Sequence, residues 1–203
     1  MKLYWFWSFN PQKVRLALHE LDLAYDLVAV DLFRGQQRHA DFVRLNPHAK
    51  VPVLEDGAMV VTESNAILAY LGEREQRLWP ADAAGKALAL SWLFLEARHL
   101  SECVGNLWFN DFVAPQANVP VSEPDRARAA EEIATPLALV ESQLASSPFI
   151  TGANFSLVDC CYAPLFDALS LSNFDLAPFP NITAYLTRVR LRPSWQNCDF
   201  RSA

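Results

Sequence analysis

Residues 2–7, Lys2-Leu3-Tyr4-Trp5-Phe6-Trp7, are aromatic-rich and alternate little, which predicts a strand buried on both faces. Ser8-Phe9-Asn10-Pro11 follows, a helix start with Pro11 near the first turn, where a missing N–H is harmless. Val14, Ala17, Leu18 and Leu21 then recur at helical spacing through 11–22. Tyr25 to Asp31 reads as a second strand, and residues 37–45 as a short helix ended by Asn46-Pro47. Val51-Pro52-Val53-Leu54 is a third strand, Glu55-Asp56-Gly57 a hairpin turn, and Met59-Val60-Val61-Thr62 the partner strand. Ser64 caps a helix that runs through Leu71.

The order β-α-β-α-β-β-α is that of a thioredoxin-like domain, a βαβ half joined to a ββα half. Pro52 opens a strand that this order makes central, where proline is normally unwelcome. A cis Val51–Pro52 bond resolves the conflict and exposes the Val51 backbone. Trp79-Pro80-Ala81-Asp82 breaks the pattern, and everything beyond it reads helical. One long helix is predicted from Lys86 to about Val113 and another from Pro124 to Leu144. Phe155-Ser156-Leu157-Val158-Asp159 has capping-box spacing, Pro164 lies inside the helix that follows, and a last helix spans Pro180 to Val189. The expected fold is therefore an α/β N-terminal thioredoxin-like domain (1–79), a linker (80–85) and an all-α C-terminal helical-bundle domain (86–203).

Composition narrows the function. The chain has 203 residues, 52% of them apolar, and a net charge of −6. That is an ordinary folded composition, and the acidic balance argues against a nucleic-acid partner. Six glycines, none close together, exclude the Gly-rich dinucleotide and phosphate loops. No apolar run approaches the ~18 residues of a membrane span, and the N-terminal apolar stretch is short for a signal peptide, so no membrane partner and a cytoplasmic location are expected. Cys103, Cys160, Cys161 and Cys198 form no CxxC pair, which excludes zinc ribbons and dithiol redox sites; they read as buried small hydrophobes, and no metal is expected.

Four motifs, in order, carry a resemblance. They are Ser8-x5-Val14-Arg15-x-Ala17-Leu18, Asn46-Pro47-x-x-Lys50-Val51-Pro52-Val53-Leu54, Glu63-Ser64-x-Ala66-Ile67-x-x-Tyr70-Leu71 and Gly152-x-x-Phe155-Ser156-Leu157-x-Asp159. Together they span nearly the whole chain, which resembles a cytosolic glutathione S-transferase of bacterial type, with a serine- or asparagine-type site. The resemblance implies glutathione as co-substrate, a small hydrophobic electrophile as the other substrate, and a homodimer. It implies that Glu63 and Ser64 hold the γ-glutamyl end, that Val51, freed by a cis Pro52, pairs with the cysteinyl backbone as an added strand, and that Lys50 and Arg38 meet the glycyl carboxylate.

The thiol needs a donor, because the thiolate is the nucleophile and a free thiol near pKa ~8.5 is mostly protonated at neutral pH. By similarity that donor is Ser8, with Asn10 as the alternative. Trp7, Phe9, Trp108, Phe109 and Phe112 are implied to line the electrophile pocket, an aromatic wall suited to a flat apolar ligand. The expected activity is conjugation of the glutathione thiolate to an electrophilic carbon. Two readings stay open beside it: glutathione-dependent peroxidase or disulfide reduction on the same site, and a non-catalytic binding module.

Overall fold

A computed structural model describes residues 1–198. Its sheet has four strands, β1 (Lys2–Trp5), β2 (Asp26–Ala29), β3 (Val53–Asp56) and β4 (Met59–Thr62), in the order β2-β1-β3-β4. β1 and β2 are parallel, which requires a crossover, and α1 (Phe9–Glu20) supplies it. β1–β3 and β3–β4 are antiparallel, the latter closed by a tight turn at Gly57 and Ala58 in which Gly57 has φ +61°. A 3-10 turn (Gln36–Arg38) and α2 (Ala40–Leu45) follow β2, and α3 (Ser64–Glu75) follows β4. The Val51–Pro52 bond is cis, and Pro52 precedes the β3 ladder rather than standing in it.

β1 differs from its expectation. It stops at Trp5, because the chain turns there, with the Ser8 N–H donating to the Phe6 carbonyl at 2.7 Å, and enters α1. It also alternates. Leu3 and Trp5 point into the main core with Val14, Leu18, Leu54 and Ile67, whereas Tyr4 lies with Val30, Phe42 and Val53 in a smaller cluster. Phe42 of α2, a six-residue helix, packs on that second face, so Tyr4 stays half-buried and its hydroxyl donates to Glu55 at 2.5 Å.

The remaining chain is helical. α3 ends at Glu75 and the next helix opens at Ala83, with the Asp82 side chain accepting the Gly85 N–H at 2.9 Å. On the intervening stretch Trp79 packs so closely on Gly72 that a Cβ there would lie 2.6 Å from the indole. The long helix predicted from Lys86 to Val113 is one continuous path interrupted by two π turns: α4 (Ala83–Leu95), π (Glu96–Leu100), α5 (Ser101–Trp108), π (Phe109–Val113) and α6 (Ala114–Ala117). The helix predicted from Pro124 to Leu144 is two, α7 (Glu123–Glu132) and α8 (Ala134–Ser146), broken at Ile133. Pro136 explains the break, since it has no N–H for the Glu132 carbonyl four residues back.

α9 (Leu157–Ser170) runs through the middle of the molecule, and Leu157 to Phe166 are all buried. α10 (Pro180–Arg190) and α11 (Pro193–Asn197) complete the fold. The predicted capping box at the start of α9 is present. The Ser156 N–H and hydroxyl both donate to Asp159 Oδ2 at 2.8 Å, and the Ile150 N–H donates to Oδ1 at 2.9 Å.

Burial pushes the Asp159 carboxyl up to about 6, against the pull of the Ile150 and Ser156 donors. An unfolded aspartate titrates near ~3.9, so between about pH 4 and 6 the folded chain holds more protons than the unfolded one. The stability contributed by this group is thus complete below pH ~4 and lost as pH rises through ~6. The stability difference between wild type and Asp159→Asn, measured by urea unfolding, should therefore shrink by about 2–3 kcal/mol from pH 4 to pH 6.5 and then stay constant. A difference that stays flat from pH 4 to 7 contradicts this account.

Candidate functional site

A groove of about 1090 Å³ lies between the open end of the sheet domain and the α4–α5 helical path. Asn10, Lys50, Val51, Pro52, Glu63 and Ser64 line one wall, and Leu93, Phe94, Ala97 and Ser101 the other. Each sheet-side residue arrives there for a local reason. The cis bond turns the chain just before β3, and the Val51 main chain has no backbone hydrogen bond among the described residues. Asn46 clamps the preceding loop: its Nδ2 donates to the Lys50 carbonyl at 2.7 Å and its Oδ1 accepts the His48 N–H at 3.0 Å.

Ser64 does not cap α3 as predicted. Glu63 occupies the N-cap at φ +66°, a left-handed conformation, so Ser64 becomes the first helical residue. The Ile67 N–H bonds the Glu63 carbonyl at 2.9 Å, which leaves the N–H groups of Ser64, Asn65 and Ala66 without helical partners at the groove edge. Three aligned N–H groups and the helix dipole favour an anion there.

The two thiol-donor candidates part at the start of α1. Ser8 sits at the N-cap with extended backbone, makes no side-chain cap bond, is half-buried and lines neither cavity described here. Asn10, in the first turn, faces the groove. Its Oδ1 accepts a long hydrogen bond from the Ser64 hydroxyl at 3.4 Å, and its amide nitrogen has no partner among the described residues. Arg38 is exposed on the 3-10 turn and lines neither cavity.

A second cavity of about 250 Å³ adjoins the first across Phe9, which lines both. Trp7, Trp108 and Phe112 supply its aromatic wall, with Trp7–Trp108 centroids 5.6 Å apart edge-to-face, Phe9–Trp108 6.1 Å apart, and Trp108–Phe112 stacked at 6.4 Å. Phe109, on the same helical path, points away and is 40% exposed. Gln12, Gln116, Asp167 and Leu171 also line this cavity and carried no sequence signal, lying far apart along the chain. Phe33 lines neither cavity. It is 58% exposed and packs on Phe6 and Trp7 at 5.5 and 6.5 Å.

Beneath the groove lies a buried polar network. Lys13 Nζ of α1 donates to Glu96 Oε1 at 2.7 Å, with both side chains out of contact with water. Asn65 Nδ2 donates to Glu96 Oε2 at 2.8 Å and to the Leu93 carbonyl at 2.9 Å, and the Cys161 thiol donates to Asn65 Oδ1 at 3.2 Å. Burial alone would depress the Lys13 ammonium, but its surroundings, with the Glu96 carboxylate accepting its hydrogen bond, outweigh burial and lift it above the ordinary lysine value. All four cysteines are buried and in no disulfide among the described residues, and burial pushes the Cys160 and Cys161 thiols well above their ordinary value. Thiols held protonated in this way are poor nucleophiles. Among the described residues no cluster of three or more His, Cys, Asp or Glu side chains is arranged to hold a metal ion, and no helix is long and apolar enough to cross a membrane.

Residues 1–73 match the family model described as glutathione S-transferase, N-terminal domain, and residues 123–188 match the C-terminal domain model. Among curated proteins, glutathione S-transferase 3 of Zea mays is 32% identical over 97% of this chain and 91% of its own length. Disulfide-bond oxidoreductase YfcG of Escherichia coli is 30% identical over 95% and 91%. Among solved structures, a possible glutathione S-transferase from Rhodopseudomonas palustris aligns with a TM-score of 0.86 at 30% identity, covering 100% of this chain and 98% of that one. A glutathione transferase from Burkholderia graminis, solved with two glutathione molecules bound per subunit, aligns at 0.84 and 27%, covering 96% and 85%.

Removing one partner of a buried ion pair strands the other charge. Lys13→Met should therefore cost about 3–5 kcal/mol in denaturant unfolding, whereas Lys13→Met combined with Glu96→Leu should recover most of that loss. A double variant as unstable as the single one refutes this pairing argument.

Proposed function

This chain belongs to the glutathione S-transferase family, and from that membership we propose that it joins the glutathione thiol to the electrophilic carbon of a small aromatic acceptor, with Asn10 as the donor that stabilises the thiolate. The observation that carries the reading is the groove in which an unpaired amide, an unpaired strand-edge backbone and an unpaired helix N-terminus converge.

Each part of the tripeptide then has a partner. The γ-glutamyl carboxylate takes the Ser64, Asn65 and Ala66 N–H groups, and its ammonium takes Glu63. The cysteinyl backbone pairs with Val51 as an added strand, and the glycyl carboxylate takes Lys50. Arg38 has no part in this arrangement, since it lies off the groove wall. Asn10 donates to the sulfur from the first turn of α1, whose dipole also favours the anion. Each pKa unit of lowering needs about 1.4 kcal/mol of preference for the thiolate. In the reaction the thiolate pair forms a carbon–sulfur bond as the carbon–halide or equivalent bond breaks, the leaving group departs as an anion, and the thiol proton passes to water. No thiol of this chain takes part.

The acceptor site is the smaller cavity beyond Phe9. Leu88, Leu90 and Phe94 on α4 and Met59 and Val60 on β4 form exposed apolar surface, and with the family habit they support a homodimer. A reducing cytoplasm suits cysteines that form no disulfide among the described residues. The relative named a disulfide-bond oxidoreductase favours a second reading, in which the same thiolate attacks a disulfide sulfur instead of carbon.

Asn10→Ala should lower kcat/KM for 1-chloro-2,4-dinitrobenzene by about 10- to 100-fold, the value of one hydrogen bond to a charged group, while glutathione affinity by isothermal titration changes little. Ser8→Ala should stay within about threefold of wild type. The opposite ranking reassigns the donor to Ser8, and absence of glutathione binding removes the proposal altogether. If turnover of a glutathione mixed disulfide exceeds that of every electrophile tried, the reductase reading replaces conjugation.

A further inference from the structure

The smaller cavity is not uniformly apolar. Trp7, Phe9, Trp108 and Phe112 form the walls, while Asp167 of α9 and Gln116 of α6 add polar atoms. Arg190 of α10 donates from Nε to Asp167 Oδ1 at 3.0 Å and from Nη2 to the same oxygen at 2.5 Å. Oδ2 carries no hydrogen bond among the described residues. The fork of Arg190 thus fixes the carboxylate without using both of its oxygens. Gln116 behaves similarly: its Nε2 donates to the Phe112 carbonyl at 2.8 Å, which leaves its Oε1 as the unused atom. Gln12 is the remaining amide at the cavity and is already engaged within the chain. No lysine, arginine or histidine lines the space.

We propose that this cavity selects aromatic acceptors that end in a hydrogen-bond donor, an ammonium or hydroxyl group bound by Asp167, and rejects those that end in a carboxylate. The inference rests on the reading of this cavity as the acceptor site. An aromatic ring fits against the indole and phenyl walls, and about 250 Å³ admits one substituted ring and little more. A cationic end gains twice, from the aromatic faces and from the fixed carboxylate. A carboxylate end finds no cation on the lining. It loses its water with no lysine, arginine or histidine on the lining, facing the free Oδ2 of a carboxylate whose Arg190 partner lies outside the lining.

Three ligands with one ring and different ends test this without any turnover: 4-nitrobenzylamine, 4-nitrobenzyl alcohol and 4-nitrobenzoate, titrated calorimetrically into the glutathione-saturated full chain at pH 7. The amine is expected to bind at least tenfold more tightly than the benzoate, with the alcohol between them. Asp167→Asn and Asp167→Ala should each cut the amine-to-benzoate ratio to threefold or less. Equal affinities in the wild type, a preference for the benzoate, or no binding of any ring overturns the proposal. So does an amine preference that survives both substitutions. If the preference and its loss are seen while no electrophile is conjugated, the selectivity of the cavity stands and the conjugation reading falls.

Discussion

Two charges lie out of water where the sheet domain meets the helices, Lys13 of α1 and Glu96 at the opening of the first π turn. Neither is tolerable alone in that environment, so α1 and the α4–α5 path are held to one mutual placement. Asn65 extends the constraint. Its amide spans Glu96 and the Leu93 carbonyl, and its oxygen accepts from Cys161 of α9. Because Asn65 follows Ser64 directly, the same network seats the first turn of α3, whose unpaired N–H groups face the groove. The π turn belongs to this arrangement: it widens the helix by one residue per turn just where Glu96 must reach inward.

The groove and the smaller cavity divide the chemistry. The groove gathers groups left over at three element ends, the Val51 backbone, the N–H groups of the α3 N-terminus and the Asn10 side chain in the first turn of α1. Such groups bind a peptide-like ligand well because they are rigid and already desolvated on one side. The cavity beyond Phe9 is built from side chains instead, aromatic on its walls and acceptor-bearing at Asp167 and Gln116. The groove is thus walled largely by element ends fixed by the fold, and the cavity by side chains. Burial raises the Cys103, Cys160 and Cys161 thiols above their ordinary pKa, which makes them poor nucleophiles.

Much of this was legible before folding. The β-α-β-α-β-β-α order, the cis Val51–Pro52 bond and the Ser156–Asp159 capping box were all read from local spacing, and the structure has them. The failures are local too, but they turn on a neighbour the pattern did not weigh. Pro136 breaks the predicted second long helix at Ile133, and the left-handed Glu63 takes the capping position from Ser64. β1 alternates, although its sequence is apolar on both sides, because Leu3 and Trp5 enter the main core while Tyr4 joins the smaller cluster around Phe42.

What the sequence determined by itself is therefore the set of features fixed within a few residues: element order, turn chemistry, the proline isomer and the helix start at Ser156. These are short-range matters of dihedral preference and side-chain-to-backbone hydrogen bonding. Only the tertiary structure decided which groups meet. Ser8 and Asn10 are two residues apart at a helix start, where each residue turns the chain by about 100°, so their side chains leave in different directions and only Asn10 lines the groove. Lys13 and Glu96, 83 residues apart, and Asp167 and Arg190, 23 apart, are paired by packing alone. Charge pairing across such separations depends on burial and distance, and a linear pattern of residues contains neither.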